Sequence, residues 1–193
     1  MLDDLKSKKI ILASNSPRRR ELLGGLGIEF EVRVLPDIDE AYPDNLPASE
    51  VALYIAREKA VAYKGTMSAG EIVITADTVV IHGDRVLGKP VDDAEAVAML
   101  SELRGCTHQV ITGVCITGID RQTAFSVTTD VTFRDISDEE ISYYVNNYHP
   151  LDKAGAYGIQ EWIGYIGVTK LEGSYYNVMG LPVQRIYNEL KRF

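Results

Sequence analysis

The pattern of apolar and polar positions predicts a chain of short elements. Ile10, Ile11 and Leu12 read as a short strand. Ser16 is a good N-cap and Pro17 suits a first helical position, so "SPRRRELL" predicts a helix. "AYPDNLPAS" (41–49) reads as a loop, and the apolar spacing from Val51 to Tyr63 predicts a second helix. "EIVITADTVVI" (71–81) reads as a buried strand pair or one interrupted strand, and "HGD" turns it into "RVLGKP" as a hairpin. Asp92 with Glu95 forms a capping box for a helix that runs to Arg104 and stops at Gly105. Strand patterns follow at 108–118 and 123–136, then a capping box from Ser137 and Glu140 for a helix ending near Asn147. "YIGVTKLEGSYYNVMG" (165–180) predicts a hairpin across Glu172-Gly173, and Pro182 opens a terminal helix. Helices and strands alternate early and antiparallel hairpins come late, which predicts a mixed sheet in an α/β or α+β fold.

Composition narrows the function classes. The 193 residues suit a single domain, 1–193, and 46% hydrophobic with 25% charged residues supports a packed core. A net charge of −8 argues against a general nucleic-acid binder. The sequence has no apolar run of membrane-spanning length, and "MLDDLKSKK" has no signal-peptide core, so a cytoplasmic location is expected. Cys106 and Cys115 are too few for a disulfide scaffold, and the scattered His82, His108 and His149 give no zinc spacing.

One stretch runs against elementary electrostatics. Arg18, Arg19 and Arg20 occupy the first turn of the predicted helix, where the dipole disfavours each cation by roughly 0.3–1 kcal/mol. Either they lie along solvent, or Ser14, Ser16 and the N–H groups of residues 17 to 19 cradle an anion with Arg18 and Arg19 as partners. Successive helical side chains diverge by about 100°, so Arg20 is expected at the surface.

Other candidates carry paired readings too. Lys59 sits on a face with Ala52, Ile55, Ala56, Ala60 and Tyr63, so it either snorkels to water or serves a buried site. Asp77 interrupts an apolar strand, as a strand-end turn or as a metal ligand or base. Lys89 in "LGKP" is a turn lysine in water or a phosphate contact. Gln160 ends "LDKAGAYGIQ", a lining loop, where its carboxamide caps backbone or meets the edge of a nucleobase. Together Arg18, Arg19, Lys59 and Lys89 match a polyphosphate. Glu40 and Asp77 match a divalent cation bound with it, Mg2+ or Mn2+.

"LASNSPRRRELL", "AREKA", "ADTVV", "LGKP", "LDKAGAYGIQ" and "GSYYNVMGLP" resemble, in order, the motifs of the Maf family, the septum-formation-inhibitor-like nucleotide pyrophosphatases. The resemblance covers nearly the whole chain. It implies a mixed, bent sheet with flanking helices, as in inosine-triphosphate pyrophosphatases, with a central cleft and often a homodimer. It implies hydrolysis of nucleoside triphosphates to monophosphate and pyrophosphate. By position, Asp77 would be the proton acceptor. Arg18, Thr78 and Gln160 would set base preference, and Ser14, Arg19, Glu40, Lys59 and Lys89 would contact phosphate and metal. "KAGAYGIQ" resembles the subgroup acting on dTTP and UTP rather than on 7-methyl-GTP, and modified pyrimidine triphosphates are a further substrate class. Glu161 departs from the pattern, since glycine is common there, and it brings a side chain and a negative charge to the loop that meets the base. A nucleotide-binding regulator of cell division without turnover is the rival reading.

Overall fold

A computed structural model describes Leu5 and residues 7–193. Residues 1–4 and Lys6, part of the stretch considered above for a signal core, lie outside the described residues. The elements are β1 (Lys9–Leu12), α1 (Pro17–Gly24), β2 (Phe30–Val32), α2 (Ala48–Lys64), β3 (Glu71–His82), β4 (Arg85–Leu87), α3 (Asp93–Leu103), β5 (Thr107–Thr117), β6 (Gln122–Phe133) and α4 (Asp138–Tyr148). Two 3-10 turns, Pro150–Asp152 and Ala154–Ala156, precede α5 (Trp162–Gly167), β7 (Val168–Glu172), α6 (Tyr175–Val178) and α7 (Val183–Leu190). The sheet order is β2-β1-β3-β5-β6-β7, with β4 on β3. β1 pairs in parallel with β2 and β3, and the helices between them make the crossovers that parallel pairing requires. β4 and β7 add antiparallel to β3 and β6, so this is a mixed α/β sheet.

The chain forms two compact units. The first comprises residues 1–77, 112–127 and 180–193, and the second 78–111 and 128–179. In the first, Ile11, Ala13, Tyr63 and Val73 pack with Leu35, Ile38 and Met67. The Tyr63 hydroxyl donates to the Arg33 carbonyl at 2.8 Å and accepts the Leu35 N–H at 2.9 Å, tying α2 to the segment after β2. Arg33 grips Glu71 through both guanidinium nitrogens at 2.6 and 2.9 Å, which brings the carboxyl down to about 2. In the second unit, Leu100 and Leu103 of α3, Tyr144 and Val145 of α4, and Val131 and Phe133 of β6 pack in one core with Tyr157 and Ile159.

The expected starts and stops hold with local differences. α2 begins at Ala48, a turn before the expected Val51, because the chain closes directly behind Pro47 with Glu50 N–H on the Pro47 carbonyl at 2.8 Å. β3 is one continuous strand through Asp77. Asp92 caps α3 through the Glu95 N–H, but the Glu95 carboxylate takes the Val91 N–H at 2.6 Å instead of closing the box on Asp92. Ser137 and Glu140 form the full box on α4.

The 165–180 hairpin does not form. Ile163 and Gly167, four residues apart, both turn inward on α5. Gly167 fits there because a Cβ would lie 2.8 Å from Ile136 Cδ1. β7 then pairs with β6, and after Gly173 the Ser174 side chain caps α6 by accepting the Asn177 N–H at 3.3 Å. Asn177 is buried and donates to the Val110 carbonyl and to Thr129 Oγ1, both at 3.0 Å, so the segment serves a core bond in place of a strand ladder.

In the first unit, β5 has no room for a side chain at Gly113. A Cβ would lie 2.4 Å from the carbonyl atoms of Ala52 and from the Leu53 Cα of α2. Gly113→Ala should therefore force helix and strand apart and destabilise the fold by about 3 kcal/mol, read from the urea midpoint. A loss below about 0.5 kcal/mol would show that α2 tolerates a wider spacing.

Candidate active site

The helix start is built from two serines. Beyond β1, Ala13 N–H still donates to the Ile74 carbonyl at 2.9 Å, which fixes the exit of the strand. The hydroxyl of Ser14, itself buried, accepts the Ser16 N–H at 3.2 Å, and Ser16 accepts the Arg19 N–H at 3.4 Å. Pro17 has no N–H and the Arg19 amide is held by Ser16, so residues 17 to 19 do not form the three-amide cradle expected of them. No acid stands in the first turn.

The three arginines diverge. Arg20 is exposed, as expected, and reaches Asn15 Oδ1 at 3.3 Å. Arg18 is half-buried. Arg19 turns inward, its Nε donating to the Gly180 carbonyl and its Nη1 to the Ala76 carbonyl, both at 2.8 Å. Burial lowers the Arg19 pKa from its ordinary value, and the nearby Asp77 charge opposes that effect. Arg19 thus pins the backbone next to Asp77. The sequence carries no sign of this use, since a carbonyl partner at position 180 has no signature.

Lys59 does not snorkel to water. Its ammonium lies 2.7 Å from Glu40 Oε1 and 2.8 Å from Asp77 Oδ1, and the side chain is 12% exposed. Asp77 is 14% exposed, while Glu40 is half exposed. Asp77 stands within the strand and spends one oxygen on Lys59, so the strand-end turn is not formed. Two carboxylates from distant positions therefore converge on one cation. Among the described residues, no three His, Cys, Asp or Glu side chains are placed to hold a metal ion.

The remaining candidates belong to the second unit. Thr78 is half-buried and follows Asp77 along β3. Lys89 is exposed beside buried Pro90, and the preceding Gly88 carbonyl accepts the Gly155 N–H at 3.0 Å. This bond joins the lysine loop to the turn that leads to Gln160. Gly155 takes φ +66° with its α-hydrogen side against Val80, where a Cβ would meet Cγ2 at 2.8 Å. The Gln160 side chain holds its Oε1 buried with no hydrogen-bond partner among the described residues. A buried acceptor without a donor is costly, and a ligand N–H would satisfy it.

His108, set aside as non-metal in the sequence, supports the same loop. Its Nε2 and the Tyr157 hydroxyl share a hydrogen bond of 2.7 Å, and both rings pack edge-on with Phe133. Burial pushes the Tyr157 phenol up from its ordinary range.

Solved structures share this fold. A HAM1 protein from Coxiella burnetii aligns with a TM-score of 0.52 at 14% identity, covering 96% of this chain and all of that one. The Staphylococcus aureus Ham1 protein aligns with a TM-score of 0.52 at 18% identity over 94% and 98%. The fold is therefore the Ham1-type α/β fold. Within it, the sequence pattern of the Maf-like proteins matches residues 9–193, and the chain belongs to that family. Among similar relatives, the dTTP/UTP pyrophosphatase of Phocaeicola vulgatus is 61% identical over 192 residues, covering all of both chains. Those of Parabacteroides distasonis and Bacteroides thetaiotaomicron are 61% and 56% identical, again over full length.

Burial of His108 brings its pKa from 6.5 down to about 4, with His82 as a smaller cause. A base lowered in the folded state supports stability above its unfolded value and loses that support as pH falls toward the folded one. The stability advantage of the wild type over His108→Gln should therefore shrink by roughly 2–3 kcal/mol between about pH 7.5 and 4.5. Urea unfolding of both proteins at the two pH values checks this, and a constant difference would mean that His108 is not the group protonated.

Proposed function

We propose that the protein hydrolyses dTTP and UTP to the monophosphate and pyrophosphate. The observation that carries this reading is the Lys59 ammonium held between Glu40 and Asp77, with Arg19 on the neighbouring carbonyl. A carboxylate kept among fixed cations suits a polyanion and a water molecule better than it suits packing. The names of the full-length relatives support the same activity.

Each candidate takes a role from its chemistry. Ser14, Ser16, Arg18, Lys59 and Lys89 contact phosphate oxygens and spread their negative charge. Arg19 contributes charge, while two of its N–H groups hold the Ala76 and Gly180 carbonyls. Asp77 accepts a proton from water as the water oxygen bonds to the α-phosphorus, and the bridging oxygen leaves with the pyrophosphate. Gln160, with Thr78 and Arg18, reads the base. Its orphaned Oε1 fits the N3–H of uracil or thymine, and its amide N–H fits O4.

The donor set also fits a hard divalent cation. Glu40 and Asp77 already converge on one positive charge, and Mg2+ or Mn2+ is commonly held by one or two carboxylates with substrate phosphates. When bound, such an ion neutralises charge on the leaving pyrophosphate. Among the described residues no helix is long and apolar enough to cross a membrane, and a cytoplasmic location remains part of the proposed reading.

Pyrophosphate release from dTTP by the purified protein with Mg2+ or Mn2+ tests the reading. Asp77→Asn should keep nucleotide binding and lose turnover by roughly 10²–10⁴. A wild type that binds dTTP without releasing pyrophosphate from any triphosphate would leave the regulator reading in its place.

Base recognition has its own measurement. Gln160→Ala should lower kcat/KM for dTTP and UTP by about tenfold, lower it less for GTP, and leave inhibition by tripolyphosphate unchanged. An equal fall for every substrate would move base reading elsewhere.

A further inference from the structure

Glu161 does not point its charge idly into the loop. Its N–H donates to the Gly158 carbonyl at 3.0 Å, closing a turn with Ile159 and Gln160 at the corner. The Tyr144 hydroxyl, brought by α4 and fully buried, accepts the Gly158 N–H at 3.1 Å and donates to Glu161 Oε2. One phenol therefore grips both ends of the turn that carries Gln160. The other Glu161 oxygen lies 3.1 Å from the Lys153 ammonium, whose side chain is 9% exposed and also meets Asp152 Oδ1 at 2.7 Å. Lys153 in turn accepts the Ala156 N–H on its carbonyl at 3.1 Å.

Gly158 makes the arrangement possible. A Cβ there would lie 2.9 Å from Glu161 Cδ and 3.0 Å from Gln160 Nε2, so both side chains fold over the same bare α-carbon. The loop is also strained, since Ala156 has φ +58° where L residues lose about 1–2 kcal/mol. Such strain persists only where surrounding bonds over-determine it. Burial and the Glu161 carboxylate push the Tyr144 phenol far above its ordinary range, so it stays an O–H donor.

We infer that Tyr144, Glu161 and Lys153 form a latch that fixes the corner bearing Gln160, which makes Tyr144 and Glu161 positioning residues for base recognition. The inference rests on the pyrophosphatase reading, in which Gln160 meets the base. With both oxygens committed, the Glu161 carboxylate balances Lys153 and does not confront the nucleobase. A pre-set carboxamide spends less binding energy on ordering, so the latch acts on substrate affinity and not on the bond-breaking step.

The test uses Tyr144→Phe, Glu161→Ala and the double variant of the full chain. The readouts are kcat and KM for dTTP, inhibition by tripolyphosphate, and amide hydrogen exchange of residues 155–161 in the free protein. Each single variant should raise KM about tenfold with kcat within about twofold, leave tripolyphosphate inhibition unchanged, and speed exchange at 158–161 about tenfold or more. The double variant should be no more than about twofold worse than either single, because both cut one unit. Additive losses near a hundredfold, an unchanged KM, or unchanged exchange at 158–161 in Glu161→Ala would each overturn the latch. Should Glu161→Ala fold poorly, Tyr144→Phe removes a single oxygen and carries the same readouts. Absence of pyrophosphate release from the wild type would end the enzyme reading alone, while exchange would still decide whether the latch holds the turn.

Discussion

A carboxylate inside an apolar strand has to be neutralised in place, and the first unit is arranged around that requirement. Asp77 lies on β3 among buried Val, Ile, Thr and Ala positions, where an isolated charge would cost several kcal/mol. Lys59 supplies the counter-charge at 2.8 Å. To do so, α2 must lie close to the sheet, and three of its six buried positions are accordingly alanine, Ala52, Ala56 and Ala60. Gly113 removes the side chain that would hold helix and strand apart. Thr75 Oγ1 donates to the Ala56 carbonyl at 2.7 Å, fixing the helix height directly before the site. The ion pair, the alanine stripe and the glycine are one solution to one electrostatic problem.

The basic helix start answers a different constraint. Three cations on an N-terminus oppose the dipole, yet the structure does not point them at one place. Arg20 goes to solvent and Arg19 turns inward to two carbonyls, which offsets part of the cost through charge-assisted bonds. Arg19 thereby ties the chain at Ala76 and at Gly180 to α1. An arginine that looks like a ligand contact in the sequence is at least as much a brace for the acid beside it.

Legibility in the sequence follows the range of the interaction. Caps depend on neighbours three residues apart, so Ser16, Asp92 and Ser137 can be placed from the residue order alone. Asp77 and Lys59 are legible as anomalies, a charge in an apolar pattern, although their pairing is not. The hairpin expected at 165–180 fails because turn residues alone do not reveal that Ile163 and Gly167 face a core. Asn177 looks like strand sequence because its partners, Val110 and Thr129, lie 67 and 48 positions away. Tyr144 and His108 leave no signal for the same reason. Each is a residue on another element that places one polar atom on the Gln160 loop.

The division of chemistry along β3 has a consequence for how this activity can change. Asp77 closes the first unit and Thr78 opens the second, so β3 carries the Lys59-bound acid and, at the next position, a residue proposed to read the base. In the proposed reaction Ser14, Ser16, Arg19, Glu40, Lys59 and Asp77 of the first unit meet phosphate, water or metal, while Lys89 and two of the three proposed base contacts, Thr78 and Gln160, belong to the second. Gln160, Glu161 and their supports Tyr144 and His108 all belong to the second unit. Under that reading, substitutions around Gln160 change which base is accepted, while the Lys59–Asp77 pair and the α2 packing lie wholly within the first unit. The negative charge of Glu161 is met inside the loop by the Lys153 ammonium and the Tyr144 hydroxyl, so both of its oxygens are held by the second unit itself.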